Sequence, residues 1–181
     1  ANWLTAGLGL FTELSYLCLY TPLKRRSPIS TTVGAVPGAM PPLIGFAAAS
    51  GVLTAEAWVL YAILFLWQFP HFYAIAWMYR EDYSRSGIRM LPVVEPDGDS
   101  TVRQMLLFSV VLIPISLLPS WLSMAGGYYF LGALICGVAF VGACVRMMGD
   151  RSLAKARGVL LASVIYLSVI YGLLVLDRTR L

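Results

Sequence analysis

AEAWVLYAILFLWQFPHFYAIAWMYREDYSRSGIR, residues 55–89, sets two kinds of sequence end to end. From Ala55 to Met78 the only charged residue is Glu56, at the very start. At about 1.5 Å per helical residue this run is long enough to cross a hydrocarbon core roughly 30 Å thick. From Tyr79 onward Arg80, Glu81, Asp82, Arg85 and Arg89 follow within one short loop. A soluble helix of this length would carry a polar face. This one predicts a membrane span that surfaces in a charged loop.

The remainder of the chain has the same character. Its 181 residues are 59% hydrophobic and only 12% charged, with a mean hydropathy of +0.78, whereas about a quarter of the residues in a soluble domain are charged. Six spans are expected: Trp3 to Tyr20, Thr31 to Ser50, Ala55 to Met78, Gln104 to Ser123, Tyr128 to Met148 and Gly158 to Leu176. Lipid offers no partner for a free backbone amide, so spans of this length are helices. The expected fold is an all-α membrane protein with six transmembrane helices in a single domain, residues 1–181. Pro37, Pro41 and Pro42 interrupt the second span.

Charge placement points to the same topology. Of the 13 Lys and Arg, all but Arg178 and Arg180 fall after the first, third or fifth span: Lys24, Arg25 and Arg26; Arg80, Arg85, Arg89 and Arg103; Arg146, Arg151, Lys155 and Arg157. The alternate connections, Gly51 to Thr54 and Met124 to Gly127, carry no Lys or Arg. By the positive-inside rule the loaded face is cytoplasmic, or the matrix face in an organelle. The net charge of +4 is thus divided among short loops, which excludes the continuous basic groove of a nucleic-acid binder. Cys18, Cys136 and Cys144 lie inside spans without ligand spacing and read as packing residues. No cleavable signal peptide is expected, because no positive n-region precedes the first span.

Three features carry polar groups that a membrane rejects without cause. Residues 20–46, YTPLKRRSPISTTVGAVPGAMPPLIGF, join a cationic loop to a helix rich in Gly and Pro. Such a helix permits close approach by a neighbour or a ligand. Lys24, Arg25 and Arg26 serve either as interfacial anchors or as anion ligands. In the second segment Gln68, His71, Ile75, Met78 and Asp82 recur at helical spacing, and His71 lies about 16 Å from Asp82 along a continuous helix. His71 is either satisfied within the bundle or functional. The sign-alternating loop with Tyr79 and Tyr83 is either a solvated helix end or a diphosphate site, in which a carboxylate holds Mg²⁺ while Arg and Tyr contact phosphate oxygens. The third feature, Glu13, is an intramembrane carboxylate. It is either functional or neutral and bonded to another helix.

Residues 20–46 together with WQFPHFYAIAWMYREDYSRSGIRMLPVV, residues 67–94, resemble the protohaem IX farnesyltransferase (haem O synthase) family of UbiA-type intramembrane prenyltransferases. The resemblance covers essentially the whole chain. It implies a nine-helix bundle, of which the six spans here look like helices four to nine, and two Asp-rich loops, of which Tyr79 to Arg89 looks like the second. The first, an Asn-x-x-x-Asp pattern, is expected before Ala1, since Asn2 is the only asparagine and is followed four residues later by Ala6. The chain is therefore expected to be the C-terminal two-thirds of a longer protein, inactive in isolation.

The resemblance implies transfer of the farnesyl group of farnesyl diphosphate to a vinyl group of protohaem IX, with water adding a hydroxyl and diphosphate leaving. It assigns Mg²⁺ to Asp82, with Glu81 as a second candidate. Arg80, Arg85, Arg89, Lys24, Arg25 and Tyr83 would meet diphosphate, and His71 the haem iron or a propionate. The implied surroundings are the inner (plasma) membrane of a bacterium, or the mitochondrial inner membrane, with haem-handling or terminal oxidase assembly proteins as partners. Two alternatives stand beside this reading. One is a related prenyltransferase acting on a quinone precursor or chlorophyllide. The other is a transporter segment, suggested by the broken second span and Glu13.

Overall fold

The computed structural model describes residues 2–178. Among them every regular element is helical, and the single β-bridge joins Ala125 to Arg178. The chain runs through α1 (Trp3–Leu14), a π-helical segment (Ser15–Tyr20), α2 (Thr21–Leu23), α3 (Ser30–Gly38), α4 (Pro41–Ser50) and α5 (Ala55–Met78). Beyond these come α6 (Arg80–Arg85), α7 (Leu91–Val94), α8 (Asp99–Trp121), α9 (Gly127–Gly149) and α10 (Leu153–Leu176). Five segments, residues 30–50, α5, α8, α9 and α10, are long and apolar enough to cross a membrane. The first expected span, Trp3–Tyr20, is not among these five: it is helical throughout but passes from α1 into the π-helical segment at Ser15.

Local chemistry sets the boundaries. The Asn2 side chain caps α1 by accepting from the Thr5 amide at 2.8 Å and ties it to α4 by donating to the Ala47 carbonyl at 2.6 Å. Pro22 explains the wider turn before it. It has no amide to bond four residues back, and its ring crowds that carbonyl. The Thr21 amide and hydroxyl instead both reach the Tyr16 carbonyl, five residues back. Pro41 and Pro42 likewise restart the helix as α4 after a break at Ala39 and Met40, both buried. α8 and α10 each begin on the charged side several residues before the expected apolar start, so these helices project past the hydrocarbon boundary.

α5 is the central element, packed against α8 and α10 on one side and α3 and α4 on the other, while α9 closes against α8 and α10. Small residues allow the approach. Ala57, Ala74, Ala76, Ala133 and Ala156 are fully buried, and a Cβ on Gly137 would stand 3.0 Å from Ile113. Ser116 and Ser163 bond back to the carbonyls of Ile113 and Leu160, and their own carbonyls accept from Tyr129 and from the Trp67 indole. These bonds lock neighbouring helices in register without placing an unpaired donor in lipid. Outward positions such as Leu131, Ile135, Val138, Leu161 and Ile165 are exposed and apolar, as a lipid-facing surface requires. Cys144 is buried, Cys136 partly so and Cys18 exposed, and all three are free thiols.

The connections sort by charge as expected. The Arg89 amide donates to the Lys24 carbonyl, and the Trp77 indole donates to the Arg151 carbonyl, so the three cationic loops meet on one face. Arg178 lies beside Ala125 on the other. Arg180 lies outside the described residues.

Candidate active site

A chamber of about 540 Å³ opens between α1, α3 and α5 and is roofed by the α6 region. Its wall along the first helix is a ladder. Glu13, Tyr16, Tyr20 and Lys24 follow at intervals of three or four residues, and all four line the space. The π-helical segment adds a residue to the turn here. The rings of Tyr16 and Tyr20 lie 5.1 Å apart, and the Lys24 ammonium stands 5.8 Å from the Tyr20 ring. α3 supplies Thr31, Gly34, Pro37 and Gly38, and α5 supplies Gln68, Phe72 and Ile75. Tyr83, Ile88 and Met90 complete the mouth.

Two glycines make room for the walls. A Cβ on Gly34 would lie 2.7 Å from the Tyr20 ring, and one on Gly38 would run into the Gln68 amide oxygen. Gln68, only 3% exposed, donates its Nε2 to the Ala35 carbonyl at 3.1 Å. It thereby crosses from α5 to the broken helix and fixes the inner end of the chamber. The break near Gly38 is tolerated because this backbone is buried or faces a cavity.

Of the residues singled out from sequence, Lys24 and Tyr83 line the chamber itself. Arg25 is exposed beside Lys24. Glu81, Asp82 and Arg85 share the short α6 with Tyr83, and Arg85 stands 3.6 Å from Glu81 and 3.7 Å from Asp82. All three are largely exposed, so the pairs are loose and the carboxylates can turn toward another cation. Arg80 folds back on Trp77, with its guanidinium 4.7 Å from the ring centroid and a bond of 3.1 Å to the Trp77 carbonyl. Arg89 joins the mouth through its backbone bond to Lys24.

His71 is not brought to the chamber. Its Nδ1 lies 2.8 Å from the Ser163 hydroxyl of α10, and its ring stacks on Trp67 at 4.4 Å. The expected stripe from Gln68 to Asp82 is accordingly corrected. The chamber-facing positions of α5 are Gln68, Phe72 and Ile75, with His71 turned to the flank; α5 ends at Met78 with Tyr79 as its cap, and the α6 residue that lines the chamber is Tyr83 rather than Asp82. Glu13 does face the chamber. Tyr16 and Tyr20 carry no sequence signal of their own, although Thr21-Pro22 inside a helical run is a local signal of the turn that presents them.

The donor set suits Mg²⁺ of one kind. Among the described residues no three His, Cys, Asp or Glu side chains are clustered to hold a resident ion. Magnesium bound with phosphate groups, however, takes only one or two carboxylates and fills its octahedron with phosphate oxygens and water. Asp82 and Glu81, exposed beside the mouth, would suit an ion that arrives already bound to a phosphate-bearing ligand.

Fold and chamber together define a helical membrane protein with an interior chamber whose walls are largely apolar and whose mouth carries Lys24. The chain belongs to the UbiA prenyltransferase family, whose sequence profile matches residues 1–174. It is 62% identical over 180 residues to a protoheme IX farnesyltransferase of Solibacter usitatus, covering 99% of this chain and 62% of that protein. Against the protein of the same name from Koribacter versatilis it is 51% identical, covering 98% of this chain and 60% of that one. Against that of Salinibacter ruber it is 48% identical, with 90% and 57% covered. The chain thus spans about three fifths of the length of these relatives. Its fold is also that of a solved structure described as digeranylgeranylglyceryl phosphate synthase, at a TM-score of 0.82 over 97% of this chain and 62% of that one, with 16% identity.

Proposed function

We propose that this chain forms the greater part of an enzyme that transfers the farnesyl group of farnesyl diphosphate to a vinyl group of protohaem IX, yielding haem O and diphosphate. The observation that carries the reading is the 62% identity to a protoheme IX farnesyltransferase along nearly the whole chain. The chamber supports it, being apolar-walled and cationic at its mouth.

In this reading diphosphate sits at the mouth against Lys24, Arg25, Tyr83 and Arg89, with Arg85 and Arg80 swinging in from α6. Asp82, assisted by Glu81, would hold Mg²⁺, which supplies charge neutralisation to the departing diphosphate. Breaking the allylic C–O bond sends the electron pair to diphosphate and leaves positive charge on the first prenyl carbon. Fixed cationic side chains favour the first change, because they need no reorganisation as the charge develops. The π-faces of Tyr16, Tyr20 and Phe72 favour the second. The terminal vinyl carbon bonds to the prenyl carbon, and water adds to the neighbouring vinyl carbon with loss of a proton. Until then the apolar walls keep water from the cation. His71 would meet haem through Nε2, because its Nδ1 is held by the Ser163 hydroxyl.

The cationic face is assigned to the cytoplasm of a bacterium, with the protein in the inner membrane. The test is to express the intact protein in cells lacking haem O and analyse extracted haems by mass. Haem O is expected. Haem b alone, accompanied by a prenylated quinone precursor, would transfer the reading to the other substrate class.

A further inference from the structure

The inner end of the chamber is polar, which an all-apolar prenyl pocket would not require. Glu13 lies eleven residues before Lys24 on the first helical run, and Gln68 ten residues before the end of α5. At the helical rise both stand on the order of 15 Å inside the charged mouth, on different walls of the same space. The Glu13 side chain has no hydrogen bond or ion pair with another described residue, although a carboxylate at membrane depth is costly and normally paired. Gln68 is held rigidly by the Ala35 carbonyl and by its contact with Gly38, so it cannot withdraw. Between mouth and floor the lining is Tyr16, Tyr20, Gly34, Pro37, Phe72 and Ile75.

We propose that Glu13 and Gln68 form a polar floor that sets the accepted prenyl chain at three isoprene units. The inference rests on the prenyl-transfer reading above and adds its specificity determinant. With carbon–carbon bonds near 1.5 Å, an extended three-isoprene chain reaches about 15 Å from its diphosphate, which is the depth of the floor. A fourth unit would press its methyl groups onto the exposed Glu13 carboxylate, stripping it of water with no hydrogen bond in return, and against the buried Gln68 amide, which has no room to move aside. A two-unit chain would leave the floor hydrated and forgo apolar burial.

The test is competition between farnesyl and geranylgeranyl diphosphate in membranes containing the intact protein and haem b, with the products separated by mass. The wild type should favour the fifteen-carbon chain. The Glu13→Leu, Gln68→Leu double variant should raise the ratio of twenty-carbon to fifteen-carbon product by about tenfold or more, the scale set by fit in an apolar pocket. Its turnover of the twenty-carbon substrate should itself increase. Glu13→Gln, which keeps the floor polar, should keep the fifteen-carbon preference. An unchanged ratio in the double variant, or a ratio that rises only because fifteen-carbon turnover falls, overturns the floor. So does a wild type that uses both chains equally. A wild type that transfers neither chain refutes the prenyl-transfer reading, and the floor with it.

Discussion

The backbone amide of Arg89 donates to the carbonyl of Lys24 at 2.8 Å, fastening the loop after α6 to the loop after α2. The two halves of the cationic mouth are therefore one structure, and a perturbation of either loop reaches the other. Arg89→Pro deletes this donor, whereas Arg89→Ala removes only the side chain. With a net hydrogen bond worth about 1 kcal/mol, the proline variant should show a KM for farnesyl diphosphate about fivefold above that of the alanine variant. Equal KM values would mean that the loops do not act together.

Asp82, exposed on α6 beside the mouth, is the carboxylate proposed above to hold Mg²⁺. Asp82→Asn should abolish haem O formation while leaving the protein inserted and folded, as judged by extracted haems and by detergent-solubilised Tm. Chelation of Mg²⁺ should do the same reversibly to the wild type, because the ion is expected to arrive with the diphosphate. Full activity in the Asn variant would remove Asp82 from this role.

Gly34 has a purpose that only its neighbour explains. Gly34→Ala would place a methyl group 2.7 Å from the Tyr20 ring and push it, with the Lys24 ammonium beside it, into the chamber. A shift of about 1 Å in a positioning group can cost on the order of 100-fold in rate, so kcat should fall steeply while Tm changes little. A variant with wild-type kcat would show that Tyr20 can yield without consequence.

His71 and Ser163 are expected to behave as a pair that holds α5 on α10. His71→Ala should cost about 1–2 kcal/mol through the lost hydrogen bond and ring contact, and Ser163→Ala should reproduce the part due to the hydrogen bond. Thermal unfolding of both measures this. Weakened haem affinity in the His71 variant, with normal affinity in the Ser163 variant, would assign His71 to haem instead.

Gly98 begins α8 at φ +78, and a Cβ there would strike the Trp77 indole, which also carries Arg80 and bonds Arg151. Gly98→Ala combines left-handed strain with overpacking, and should destabilise the cationic face by about 2 kcal/mol. An unchanged Tm would show that the Trp77 contact is soft.

The sequence by itself determined the solvent, the element type, the positions of five of the six expected spans and the grouping of the cationic loops on one face. These follow from properties local to each segment: apolarity over a membrane's thickness, the backbone's need for internal hydrogen bonds, and the placement of Lys and Arg. It also marked the charged loop and Glu13, because charge near or within lipid stands out without any knowledge of packing. Only the tertiary structure decided which marked residues meet. A small change of phase turned His71 toward Ser163 and Phe72 toward the chamber, the end of α5 at Met78 left Tyr83 rather than Asp82 at the chamber, and one extra residue in the turn before Pro22 brought Tyr16 and Tyr20 inward. Convergence of this kind depends on helix phase and on close approach between distant segments, as at Gly34 with Tyr20 and Gly38 with Gln68, and those are properties of the packed bundle rather than of any one stretch of chain.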